Sequence, residues 1–495
     1  MMTEGKTPLR CLAYMAGNST PFFISIMEAF VERMGSRVSE LTILVGDRYQ
    51  FLQAKKRSLN VKIRLIYQHE RFNPFHAPMP DTTRLAQLEQ RYGIPNLWRY
   101  VLAQRMIDPL PHDRKTAYLA AYLEYYEALF HKTRPDVFIT GGQDSLPFLA
   151  AHEVFKRNGA IPLILTPGWI PGWVFVVDNE YLRIPGVPEL YESLKGRELT
   201  PEEKAIAAQI RDSYLVKKIR PTAFLAGHSI PAVPSPLRFL KILARRIRYE
   251  DRYFDAPLKE NMKRSVLVRA RMPFQKAVYQ RLSHTSATEK NALYYPLHYE
   301  PEASIDVLGT PYRDQLELIE RIASCLPVNC TLYVKEHPHM NPGARPIGFY
   351  RKLARINGVK LLDQGINGHE VIWRCKGVVT IAGTTGFEAL FYGKPVLLMG
   401  HTFYEDFREG IFTPGSWEKM VTTLKEMVSF AGFDPVLLDK FVVAVIKRSF
   451  PGLNEITAPG YDEPENHAAL AKALETELEF RAGKEKIGET ACMPA

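Results

Sequence analysis

Several short polar stretches in this chain carry side chains suited to handling a phosphate, and each directly follows an apolar run. Thr384-Thr385-Gly386 follows the run GVVTIAG and opens a helical pattern. Two hydroxyls, a residue without a Cβ and the positive end of a helix are what a monophosphate or diphosphate needs. The same residues also fit a plain helix start, since Thr caps many helices that bind nothing. Lys335 and His337 end the run CTLYV, and Pro338 then turns the chain away. An imidazole there can donate to a phosphate oxygen or protonate a leaving phosphate; a structural histidine is the plainer reading. His298 with Glu300 and Glu302, Asp363 and His401 end three further runs. In the N-terminal half, Gly141-Gly142-Gln143-Asp144-Ser145 follows VFIT, and Asp144 is the best-placed carboxylate to take a proton from a hydroxyl, or equally a helix cap. Gly17, Asn18 and Ser19 end the first apolar run in the same way. Trp169 and Trp173, on a Pro/Gly-rich turn, suit stacking on a sugar ring or filling a core.

The elements that must position these residues can be read from hydrophobic periodicity. Residues 9–16 (LRCLAYMA), the helical FFISIMEAFVERMG and the run LTILVG give a β-loop-α-β opening. A long helix over Arg114–Lys132, the strand VFITGG, a helix over Leu146–Asn158 and the strand IPLILTPG continue it. From Asn291 the alternation is regular: strands ALYYPL, CTLYVKE, VKLLD, GVVTIAG and PVLLMG are separated by helices of about ten residues. Such alternation implies right-handed crossovers and a parallel sheet, so the polar strand ends all fall on one edge.

The expected architecture is α/β, with two Rossmann-like lobes joined by a helical, basic segment. Its divisions are an N-terminal Rossmann-like domain (1–200), a helical basic linker or insertion (201–288), a C-terminal domain bearing the polar strand ends (289–450) and a C-terminal segment (451–495) with a frayed tail after Arg481. The helices near 417–428 and 434–447 are expected to pack back across the cleft. At 495 residues the chain exceeds what one core usually organises.

The net charge of +10 is concentrated: 238–281 holds thirteen Lys or Arg against four acids, which points to an anionic partner. Within it, Arg238, Lys241, Arg245 and Arg248 recur at helical spacing beside Leu240, Leu243, Ala244 and Ile247, a pattern suited to the surface of an anionic membrane or to a solvated helix. The stretch lacks the interleaved aromatic residues of a nucleic-acid binder. The five cysteines have no metal-ligand spacing, no Asp-x-Asp pair follows a strand, and neither a metal nor another cofactor is expected. Nothing near the start reads as a secretion signal, and prolines and glycines break the longest uncharged stretch (159–177), so a cytoplasmic protein is expected.

Taken in order, Tyr295-Pro296-Leu297-His298 with Glu300-Pro301-Glu302, Lys335-Glu336-His337-Pro338, Thr384-Thr385-Gly386-Phe387-Glu388-Ala389-Leu390 and Gly393-Lys394-Pro395-Val396 resemble the capsule polysaccharide biosynthesis family. The resemblance spans about residues 291–405. That family includes Kdo transferases of the GT-B type that use CMP-Kdo. The resemblance implies a glycosyltransferase moving an acidic sugar from a nucleotide-sugar to a polysaccharide or lipid-linked glycan. It puts His337 near the donor phosphate, Thr384, Thr385 and Gly386 around it, and Glu388 toward the ribose or base. Lys335, His298 and Glu302 complete the donor-side set. Neighbouring readings are a glycerol-phosphate transferase of the teichoic-acid type and a UDP-sugar 2-epimerase.

Overall fold

The structure, a computed structural model, describes residues 7–93, 96–142, 144–216, 244, 258–455 and 458–491. They form two compact units: 7–180 with 244 and 449–491, and 181–216 with 258–448.

In the first unit β1 (Leu9–Met15), β2 (Val38–Val45), β3 (Ile63–Tyr67), β4 (Val137–Thr140) and β5 (Ile161–Pro167) run parallel. β6 (Trp173–Val177) returns antiparallel to β5, and β13 (Phe450–Pro451) pairs antiparallel with β6. The order is β13-β6-β5-β4-β1-β2-β3. The runs LAYM and VFIT are continuously apolar because helices cover both sheet faces. On one face the helix Thr20–Met34 buries Phe22, Phe23, Ile26, Met27, Phe30 and Val31.

The segment after 451 returns to the first unit. The helix Pro464–Ala491 packs along Thr20–Met34, with Leu470, Leu474 and Leu478 in the same core and Glu475 paired to Arg33 and Arg37. Leucines four apart make an apolar stripe that must be covered, and the sheet face of the first unit covers it.

In the second unit β7 (Ala292–Pro296), β8 (Thr331–Lys335), β9 (Val359–Leu362), β10 (Gly377–Thr380), β11 (Val396–Leu398) and β12 (Ile411–Phe412) are all parallel, in the order β12-β11-β10-β7-β8-β9. Strands grow outward from β7 to β9, and the chain then crosses back to place β10 on the other side of β7. The helices that diverge there leave a crevice at the strands' carboxyl ends. The first unit repeats this layout between β1 and β4. Both lobes are thus Rossmann-like, as the alternation implied.

The unit boundary falls at 180/181, not at 200. The helices Val187–Lys195 and Pro201–Leu215 belong to the second unit because they bury the apolar face of Pro435–Lys447. Trp417–Val428 and Pro435–Lys447 therefore stay within the second unit. The helix Leu258–Leu282, expected in a linker, also packs on this unit. The stripe Arg238, Lys241, Arg245 and Arg248 lies outside the described residues. Among the described residues no helix is long and apolar enough to cross a membrane.

Candidate functional site

The crevice of the second unit is floored by a buried polar network. Arg345, 2% exposed, donates from Nε and Nη2 to Glu336 (2.9 and 2.8 Å), from Nη1 to Glu300 (2.8 Å) and from Nη2 to the His298 carbonyl (2.7 Å). Glu336 also accepts from the Tyr350 hydroxyl (2.5 Å) and from the His337 N–H (2.8 Å). Gln315 accepts the His298 N–H at 2.8 Å and donates to Glu300. Burial opposes the charge on Arg345, but Glu336 and Glu300 outweigh it and hold its pKa above the usual value. The loops after β7 and β8 are thereby locked together, with each buried charge paired. The sequence carried no signal for this lock: Arg345 sits in a short PGARP stretch without periodicity.

His298 ties this floor to the next loop. Its Nε2 accepts the Ala382 N–H at 3.3 Å and lies 3.3 Å from the Thr380 hydroxyl. Burial pushes the imidazole down to about 4, so it is neutral and holds the β10 loop in place. That contact gives His298 a positioning role.

His337 is half-buried at the end of β8, its ring against Tyr299 and His339. Its Nδ1 accepts the His339 N–H at 3.2 Å, which assigns the ring proton to Nε2. Burial, then the charges of His339, His298, Arg345 and Lys335, push it down to about 3. Of the two roles its type allows, donation from a neutral N–H fits this environment; a resting imidazolium does not. Lys335, buried at the end of β8, adds positive charge beside it.

Across the crevice the helix Thr384–Phe391 begins with half-buried Thr384 and Thr385. Their backbone N–H groups, in the first turn, have no partner within the helix. Neither threonine hydroxyl bonds to another described residue. Gly386 is different: it is buried, and a Cβ there would lie 2.3 Å from the Tyr404 hydroxyl, which donates to the Gly383 carbonyl at 2.6 Å. Packing on Tyr404, rather than approach of a phosphate, requires this glycine. Two strand spacings, roughly 10 Å, separate β8 from β10, and His337 and Thr385 follow them on the same edge of the sheet.

Glu302 accepts from Ser304 Oγ at 2.7 Å, and burial pushes its carboxyl up. Glu388, one turn into the helix, lies 3.9 Å from His369 Nε2, whose Nδ1 is 3.1 Å from the Tyr392 hydroxyl. Beyond β11 and β12 a cavity of about 620 Å³ is lined by Arg183, Tyr312, His401, Glu405, Arg408 and Trp417, among others. Among the described residues no cluster of three or more His, Cys, Asp or Glu is gathered for a metal.

In the first unit the loops after β1 and β4 flank the equivalent crevice. Gly17 (φ +77°) donates to Asp47 Oδ2 at 3.0 Å, Ser19 Oγ turns to the Ala16 carbonyl, and Asn18 is exposed. Asp47, which sequence reading missed, also caps the next helix through Gln50 N at 2.8 Å. A Cβ on Gly141 would meet the Phe23 ring, so core packing explains that glycine. Asp144 is exposed, and Ser145 holds the cap position of Leu146–Arg157. Trp169 is half-buried in the β5–β6 turn on the same edge. Gln143 lies outside the described residues.

Residues 248–443 match the family described as capsule polysaccharide biosynthesis protein. No curated protein matches the sequence. Similar solved structures include the beta Kdo 2,7 transferase KpsC of Thermosulfurimonas dismutans, at 16% identity over 65% of this chain and 79% of that one, with a TM-score of 0.32. The UDP-GlcNAc 2-epimerase of Methanocaldococcus jannaschii is 12% identical over 89% and 99%, TM-score 0.27. The calicheamicin glycosyltransferase CalG4 is 12% identical over 95% and 98%, TM-score 0.28.

Proposed function

We propose that a protein whose residues 248–443 match the capsule polysaccharide biosynthesis family works as a glycosyltransferase of the GT-B type. On this reading it moves a sugar from a nucleotide-sugar donor to a surface polysaccharide or glycolipid. The carrying observation is the pairing, on one sheet edge, of an unpartnered Thr384-Thr385 helix start with the neutral imidazole of His337 beside Lys335. The helix start cradles the donor phosphate, and His337 Nε2–H and Lys335 take up the charge that develops on it as the sugar–oxygen bond breaks. The acceptor hydroxyl forms the new bond at the sugar as the sugar–phosphate bond breaks, and gives up its proton to a base on the acceptor side. The resemblance of the motifs around His298, His337 and Thr384 favours a CMP-linked acidic sugar such as Kdo.

A thermal-shift series with CMP, CDP, UDP and GDP tests the donor side, since a ligand of the native state raises the melting point by mass action. Stabilisation by CMP above the others supports the finer reading. Stabilisation by UDP alone replaces it with the epimerase-like alternative, and no response to any nucleotide removes the donor site.

A further inference from the structure

Between 270 and 284, and again between 337 and 362, the chain has no acidic residue. These two stretches meet in the second unit. Gln275, on the helix Leu258–Leu282, donates its amide to the carbonyls of Arg345 (3.0 Å) and Pro346 (2.8 Å), and Tyr279 packs on Tyr350 with ring centres 4.9 Å apart. Next to these anchors the surface is unusual: Phe274 is 58% exposed and Ile347 69% exposed. The exposed cations Arg351, Lys352 and Arg355 follow Ile347 on the second stretch, and the side chain of none of them hydrogen-bonds or ion-pairs with a described residue. The Arg351 guanidinium lies over the Phe274 ring, 5.6 Å from its centre.

We propose that this face docks on an anionic lipid membrane, with Phe274 and Ile347 entering the boundary between headgroups and acyl chains and the three cations meeting lipid phosphates. Two large apolar side chains held in water gain only if a nonpolar phase takes them up, and three unpaired cations gain only from anions. An anionic bilayer supplies both at once without needing a shaped groove, and long Lys and Arg stems let the charges stay at the headgroups while the apolar tips go deeper. The inference stands apart from the donor assignment, and it uses none of the residues of the 238–248 stripe.

Sedimentation of the full chain with vesicles tests it, comparing phosphatidylcholine alone with about 30% phosphatidylglycerol, at roughly 0.05 M and 0.5 M salt. Binding to the anionic vesicles only, weakened at high salt, is expected. Each cation near such a surface is worth about fivefold in partitioning, so R351Q/K352Q/R355Q should lose about a hundredfold. F274S/I347S should lose about tenfold. All five side chains are exposed, so the melting temperatures of both variants should stay near the parent's. On bound protein, Ile347→Trp should be quenched by brominated lipid, while Val328→Trp, exposed just before β8, should not. No binding at low salt overturns the proposal, as does binding that both sets of substitutions leave intact. An unquenched Ile347→Trp, or a concentration-dependent dimer abolished by F274S/I347S without vesicle binding, overturns it equally.

Discussion

His337 and His298 are both neutral in the folded chain, one at the end of β8 beside Lys335 and one committed to a backbone N–H. For His337 this separates two chemistries. His337→Ala should lower kcat/KM for sugar transfer by about a hundredfold or more, and His337→Gln, which keeps an N–H, should recover part of it. Because kcat/KM reports the free protein, its pH profile should show no inflection near 6.5 that disappears in His337→Gln; such an inflection would restore the general-acid role. For His298 the consequence is stability. Unfolding frees the ring to take a proton below about pH 6.5, so the unfolded state binds more protons and stability falls as pH drops from there toward 4. The loss from this ring is at most about 3 kcal/mol. Urea unfolding at several pH values checks it: a parent whose stability slope over that window equals that of His298→Asn would remove the effect.

At the scale of elements, the crevice depends on loops being fixed by partners distant in sequence. Arg345→Met leaves Glu336 buried without its cation, which should cost about 3–5 kcal/mol in urea unfolding, and adding Glu336→Leu should return much of that. A loss from Arg345→Met that Glu336→Leu fails to reduce would mean that Arg345 acts through something other than this pair. The helix start is set in a similar way. Gly386→Ala should cost about 1–3 kcal/mol through the Tyr404 hydroxyl, with Tyr404→Phe in the same chain relieving part of it. Donor binding by the double variant would show whether Thr384 and Thr385 keep their place when the packing beneath them changes.

Over the whole molecule the same strand plan occurs twice, and each copy gathers its candidate residues at the point where strand order reverses. In the second unit, positive charge comes from Lys335 and a helix start, so a phosphate there has its charge met by the chain itself. Sugar transfer should accordingly keep its rate within about twofold after EDTA. Complete loss restored by magnesium or manganese would show a metal-held donor instead.

Periodicity alone determined the α/β class, the strands from Leu9 to Leu398 that bear the candidate residues, and the edge on which His337 and Thr385 lie, because those follow from local spacing and from the handedness of crossovers. β3, interrupted by Arg64, and two-residue β12 were too short or too mixed to read. The return of Pro464–Ala491 to the first sheet, the 180/181 boundary and the Arg345–Glu336–Glu300 lock were decided only by tertiary structure, since each joins residues far apart along the chain or in loops without periodicity. Gly386 and His298 show the same limit. Their types suited a phosphate, but what they touch, Tyr404 and Ala382, is fixed by how strands and helices stack, and no spacing along the chain encodes that.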